Sequence, residues 1–347
     1  MDLVDGAAIF SAGGGGAPEV GYNLVDRLVD QGFVVELVDP VEAPDDAVVV
    51  NFACVGATTS VAYHSEAAVK TLRILEEYIG KKVFAVIPVE LGGFNTLAAV
   101  DVAARCGIPI VDADGAGRSV PEVHLKVYTI DDIPLAPMAV ADVDGQNIVL
   151  VRHTRDSRSA ERIARVLAAE WSQTAYTARR ILTGELVKKS SILNTLSKSM
   201  RVGMLLRKAV DPLGAVLKET SGFKLFEGIV KKAERETKEG FTWTTATLSG
   251  ARESKGSTFS FKAKNEILVA HKDGKLSAVA PDIITAVHPE SGKCVTAEKP
   301  RKEDKLVMIG IPAPEKWRTM KGLTLWRGVL QRSNINERYV AIEKLHH

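Results

Sequence analysis

Between positions 112 and 124 the chain reads DADGAGRSVPEVH, which places three carboxylates (Asp112, Asp114, Glu122), a guanidinium (Arg118) and an imidazole (His124) within a short span. Upstream, VELGGFN adds Glu90 and Asn95. Two carboxylates in unlike surroundings can divide acid and base work, one kept protonated and the other ionised. The same oxygens, joined by Asn or His, suit a divalent metal that would polarise a substrate carbon and acidify a bound water. Arg118 offers a planar fork for a substrate carboxylate; its simpler use is to pair with Asp112 or Asp114 and hold the loop. Glu122, after Pro121, has a simpler use in orienting a neighbouring segment. His124 reads better as a packing or surface residue than as a ligand.

These side chains need elements to position them. The apolar runs at 82–89 (KVFAVIPV) and 108–111 (IPIV) are of the buried, parallel-strand kind, and Glu90, Asp112 and Asp114 follow their ends. Open α/β sheets place ligands at the carboxyl ends of their strands. Adjacent parallel strands would bring these acids to one edge, and that convergence is the physical reason to expect a site. Runs at 33–38 and 48–52 are two more strands. Asp39 stands where a dinucleotide enzyme would hold ribose, though no fingerprint precedes it. Helices are expected from Pro18 to Gly32, over 62–79 and over 96–106, with Gly32, Gly80 and Gly107 as stops. Thr58, Thr59 and Ser60 read as caps for the second of these and Asn95 as a cap or ligand at the third.

At the start, AAIF (7–10) is read as a strand running into Gly13–Gly16 and then a helix. Strand, glycine turn and helix would make an anion cradle, with Gly14 and Gly15 facing the ligand. No Lys-Ser/Thr follows the glycines, so nucleotide or phosphate binding is the weaker alternative. The other use of such a turn is to let a neighbouring element come close. Repeated strand–helix alternation gives an α/β domain with a mostly parallel sheet over residues 1–157.

The second half, 158–347, is expected to be a helical connector followed by a mainly-β domain. VADVDGQNIVLVRH is a hairpin around Asp144-Gly145, residues 158–172 an amphipathic helix, and 188–209 a helix with a basic, solvated face. Further hairpins are expected at Glu239-Gly240 and Asp273-Gly274. Asp282 is placed in a turn or, alternatively, reaching the site as a substrate-binding group. Trp317, Arg318 and Trp326 are expected to close the β domain.

With 347 residues, 46% hydrophobic and 25% charged, the chain has the make-up of a globular protein of two domains. A net charge of +2 gives no reason to expect nucleic acid or an anionic membrane as partner. The opening residues lack a basic n-region, no apolar run approaches the ~20 residues of a membrane span, and a cytoplasmic setting is the expectation. Cys54, Cys106 and Cys294 are too scattered for a disulfide framework or a zinc site, and Cys294 has no partner that would make it a nucleophile.

The glycine turn, ELGGFN and DADGAGRSVPEV together resemble the S-methyl-thiohydantoin desulfurase-like family, as do AVAPDIITAVHPESGKCVT and GIPAPEKWRT in the second half. The resemblance implies an N-terminal α/β domain, a C-terminal mainly-β domain and chemistry on five-membered cyclic amides or their thio analogues. It also implies an association with hydantoinase/oxoprolinase proteins. The family's motif carries Gln where His124 stands, which argues against an essential role for that residue. Two functions follow. One is a hydrolase-type enzyme acting on a small cyclic amide or S-methyl-thiohydantoin-like ring. Its catalytic groups would be Glu90, Asp112, Asp114 and Glu122, with or without a divalent metal, and its substrate-binding groups Gly14, Gly15, Asn95, Arg118 and Asp282. The other is a non-catalytic ligand-binding or accessory subunit of a hydantoinase system. Self-association into a homo-oligomer is open on general grounds.

Overall fold

The fold is given by a computed structural model that describes residues 1–56, 63–171, 173–238 and 240–346. The caps expected at Thr58, Thr59 and Ser60 lie outside the described residues. The chain begins with a helix, α1 (Asp2–Phe10), where a strand over 7–10 was expected. Four apolar residues are too few for their period to separate strand from helix. Asp2 and Asp5 in the first turn suit the positive end of a helix, and Val4 and residues 7–10 are buried.

Two compact units are interleaved along the chain. Residues 16–116 and 122–197 form an α/β unit; residues 1–15, 117–121 and 198–347 form a β-rich unit. A linear division at 157 therefore does not follow the compact units, since the helix at 157 and the chain up to 197 stay with the α/β unit. The stretch DADGAGRSVPEVH is itself shared, with Asp112, Asp114, Glu122 and His124 in the α/β unit and Arg118 in the other.

The α/β unit runs α2 (Pro18–Asp30), β1 (Leu37–Val38), β2 (Val48–Gly56), α3 (Ser65–Ile79), β3 (Ala85–Pro88), α4 (Asn95–Cys106), β4 (Ile110–Val111), β5 (Ala113–Asp114) and α5 (Val127–Ile130). It continues through β6 (Met138–Ala141), β7 (Ile148–Val151), α6 (Ser157–Glu170), β8 (Thr174–Thr183), α7 (Gly184–Ser190), β9 (Ile192–Leu193) and the start of α8 (Thr195–Lys208). Gly80 and Gly107 stop α3 and α4 in the left-handed conformation, as expected of helix-ending glycines. Among the described residues the main sheet has the order β1-β4-β3-β2-β8-β6-β7. β1, β4, β3 and β2 are parallel, whereas β8, β6 and β7 add on antiparallel. The sheet is thus mixed, and the expectation of a mostly parallel one is corrected. The cause is β8, which two central arginines disguise in the sequence and which pairs with the whole length of β2. One core lies under β3, with Val49, Ile87, Val111, Tyr128 and Leu182; another lies under α6, with Met138, Val140, Ala160 and Ala164.

The β-rich unit adds α9 (Pro212–Thr220), β10 (Phe223–Lys238), β11 (Phe241–Gly250), β12 (Thr258–Lys264), β13 (Glu266–Lys272), β14 (Lys275–Val279), β15 (Ile283–Val287), β16 (Cys294–Val295), β17 (Lys305–Ile311), α10 (Glu315–Arg318) and α11 (Met320–Arg332). Its sheet is antiparallel, in the order β14-β13-β12-β11-β10-β17-β15-β16. Asp273 and Gly274 both take positive φ, 49° and 76°, as a two-residue hairpin with the twist of its strands requires. Phe226, Phe259, Phe261, Ile267 and Met308 fill its core.

The glycine run follows a helix, so the strand–turn–helix cradle is absent. Gly13, at φ 84°, accepts the Ala297 amide at 2.9 Å. A Cβ on Gly14 would stand 2.0 Å from Glu266 Oε1, a carboxylate oxygen that also accepts the Ser119 hydroxyl at 2.7 Å. A negative group of the protein itself packs against this turn, which removes the reason for reading it as a phosphate site. The basic stretch at 188–208 is partly ion-paired: Lys188 with Asp45 at 2.7 Å, Arg201 with Glu219 at 3.1 Å and Arg207 with Asp2 at 2.7 Å. Among the described residues no helix is long and apolar enough to cross a membrane.

Candidate functional site

The carboxyl edge of β3 in the α/β unit gathers the motif segments. After Pro88 the chain turns through Val89 and Glu90 into α4. Gly93 abuts Pro18 at the start of α2, and Gly16 abuts Phe94. Gly115 lies so close to the Val89 carbonyl that an added Cβ would stand 2.7 Å from it, and its own carbonyl accepts the Val127 amide at 2.8 Å. The ends of β3 and β5 and the start of α5 therefore meet around Glu90.

Glu90 is buried. Its Oε2 lies 2.8 Å from Lys126 Nζ and its Oε1 accepts Asn95 Nδ2 at 2.9 Å. Asn95, the first residue of α4, accepts the Cys54 amide at 3.1 Å through Oδ1, so it ties β2 to Glu90 and is not the helix cap. Lys126 is itself buried, with 4% of its side chain exposed. Sequence reasoning missed it, because an isolated lysine after VHL carries no sign that its partner lies 36 residues away.

The other expected acids have defined tasks. Asp112 Oδ1 accepts the amides of Leu196 and Ser197 at 2.9 and 3.0 Å, closing the first turn of α8 from another strand end. Asp114 Oδ2 accepts the Ala116 amide at 2.9 Å, an Asx turn that shapes the motif loop. Glu122 joins a second buried group: His124 Nδ1 lies 3.4 Å from Glu122 Oε2 and 3.5 Å from Glu161 Oε2. Glu161 also accepts the Val123 amide at 2.8 Å and Arg165 Nε at 2.9 Å. Burial alone would raise the Glu161 carboxyl, but the nearby His124 imidazole, the Arg165 charge and the Val123 amide hold it down to about 2.

Arg179, on β8 opposite Asn51 of β2, completes the polar interior. It is buried and lies within electrostatic reach of Glu90 and Glu161. Two arginines in the middle of TAYTARRILT were the available signal. Cys54 is nearby, and burial pushes its thiol far up, which disfavours the nucleophilic thiolate.

Gly14, Gly15, Arg118 and Asp282 belong to the β-rich unit. Arg118 is fully buried: Nη1 donates to the carbonyls of Pro281 and Asp282 at 2.7 and 3.0 Å, Nε to that of Ser119 at 2.8 Å, and the guanidinium stacks on Trp326 at 4.8 Å. Asp282 accepts the amides of Ala313 and Ile342, both at 2.8 Å, together with Arg318 and Tyr339. Burial pushes its carboxyl up in spite of these donors. Asp282 is thus the hub that fastens the closing helices to β15, the role expected of Trp317, Arg318 and Trp326. A cavity of about 620 Å³ in the β-rich unit is lined by Glu227, Arg252, His288 and Asp304 among others, and by none of the expected site residues.

Among the described residues no three His, Cys, Asp or Glu side chains are grouped so as to hold a metal ion. What the Glu90 group can do is move protons: a carboxylate accepts, the adjoining ammonium donates, and Asn95 fixes the carboxylate's orientation.

A crystal structure of a protein from Chromobacterium violaceum has this fold, with a TM-score of 0.82, 22% identity, and coverage of 98% of this chain and 97% of that one. No curated protein matches the chain. The S-Me-THD-like N-terminal domain matches residues 1–152 and the S-Me-THD-like C-terminal domain residues 155–327. Nearly the whole chain is covered by these two matches, and it belongs to the S-Me-THD-like (S-methyl-thiohydantoin desulfurase-like) family.

Proposed function

We propose that this protein is a hydrolase acting on a small ring amide of the S-methyl-thiohydantoin kind. The observation that carries the reading is the buried Glu90–Lys126 pair, oriented by Asn95 at a strand's carboxyl edge. On such a ring, water adds to the carbon that bears the methylthio group. Glu90 takes one proton from that water, and Lys126 returns a proton to the ring nitrogen. Loss of the second hydroxyl proton then expels methanethiol and leaves a ring carbonyl, so the water's oxygen stays on carbon and its two hydrogens end on nitrogen and sulfur. Asp114 shapes the loop beside this pair, Asp112 holds the first turn of α8, and Glu122, His124 and Glu161 form a second buried polar group.

The test is thiol release from a 2-methylthio-hydantoin by the full chain, followed with a thiol reagent. Glu90→Gln is expected to lower kcat by roughly a hundredfold or more, as for loss of a general base, and Lys126→Met by a comparable factor. Asp114→Asn is expected to act more mildly. No thiol release and no ring opening by the wild type would sink the reading.

A second reading, a non-catalytic ligand-binding or accessory subunit, is favoured by the way Asp112 and Asp114 accept backbone amides. It predicts ring binding without turnover.

A further inference from the structure

β8 carries a fault in its pairing. Val50 is opposite Ile181 and Asn51 opposite Arg179, so Arg180 is an extra residue in the ladder, and it takes φ 49°. A bulged arginine in the left-handed region is strained, and bulges of this kind re-aim side chains beside functional sites. The bulge is well anchored. The Arg180 amide donates to the Leu135 carbonyl at 2.9 Å, Nη1 donates to that of Ile133 at 3.0 Å, and the guanidinium stacks on Tyr128 at 5.1 Å.

Arg180 Nη2, also enclosed, meets no acceptor among the described residues, but the rest of that guanidinium is held, whereas among the same residues Arg179 has no such anchors. Arg179 is 4% exposed, and among the described residues no acceptor is hydrogen-bonded to its enclosed Nη1. The two carboxylates in its reach already hold other cations: Glu90 holds Lys126, and Glu161 holds Arg165. Leaving a charged donor unmet in the interior is costly, and the residue stands one position from a strained bulge. Burial weakens its hold on the proton, to about 10, yet it stays a cation at neutral pH.

We propose that Arg179 is the anion-recognition residue of the α/β unit, and that its guanidinium receives a carboxylate carried on the ring ligand. The inference rests on the hydrolase reading for the identity of the ring, and on the arginine's surroundings for the charge. The planar fork matches a carboxylate, and the anchored bulge holds it ready. The preferred ligand is therefore a ring amide with a short acidic side chain, not the bare ring.

The test is calorimetric titration of the full chain with hydantoin-5-acetate, hydantoin and succinate. The wild type should bind hydantoin-5-acetate roughly ten- to a hundredfold more tightly than hydantoin, the range of one charge-assisted contact. Arg179→Met should lose that preference while keeping its affinity for the bare ring. Arg179→Lys, which keeps the charge without the fork, should retain part of it. The ligand-free melting temperature of Arg179→Met should equal or exceed that of the wild type, since a buried charged group with an unmet donor has been removed while Glu90 and Glu161 keep Lys126 and Arg165. Equal binding of the two rings by the wild type, an undiminished preference in Arg179→Met, or a sharp fall in its melting temperature would each overturn the proposal. If both rings bind equally and thiol release proceeds, this inference fails and the hydrolase reading stands. If neither ring binds but succinate does, and only with Arg179 present, the anion site stands and the ring reading fails.

Discussion

Glu161 shows how a single side chain can couple the fold to pH. Its carboxyl sits at about 2 in the folded chain against an ordinary 4.5. The unfolded chain therefore binds more protons between these values, and stability from this group is present above about 4.5 and lost as pH falls towards 2. The term is on the order of 3 kcal/mol at neutral pH. Glu161→Gln should be less stable than wild type at pH 7 and should show a shallower loss between pH 4.5 and 2 in urea unfolding. Identical acid limbs for both proteins would refute the assignment. Of the residues singled out from sequence, Glu90 and Asn95 do meet at one strand end, because position after a buried strand is a local property. Lys126 and Arg179 escaped notice because whether a cation is exposed or buried depends on partners far along the chain, which no local pattern encodes.

Among the elements, α8 begins where Asp112 allows it to. Its first turn relies on a carboxylate from the end of a strand more than 80 residues earlier. Asp112→Ala should cost about 1 kcal/mol, the usual worth of such a cap, and lower the denaturation midpoint, whereas Asp112→Asn should recover most of it. A midpoint unchanged in Asp112→Ala would show that α8 needs no such cap. Helices with glycine stops were legible from their periodicity, as α3 and α4 show. The first helix was not, since AAIF satisfies a strand pattern equally well. The antiparallel half of the α/β sheet was hidden as well, because Arg179 and Arg180 break the apolar run of β8 just where it is most deeply buried.

For the molecule as a whole, two family domains meet in sequence at 152–155, but the compact units do not part there. The β-rich unit draws on residues 1–15: Thr285 donates to the Ile9 carbonyl at 2.9 Å and Ile267 to that of Ala12 at 2.8 Å. Fragments 1–152 and 155–347 should each fail to give a cooperative melt alone; a sharp transition in the second fragment alone would contradict this. The same arrangement bears on synthesis in the cell. Ile9 and Thr285 are separated by 276 positions, so at about 5–20 residues per second the first helix leaves the ribosome roughly a quarter of a minute to a minute before β15 exists to receive it. Phe10 meets Lys198 sooner, but the contact of Ile9 with β15 is closed only late in translation.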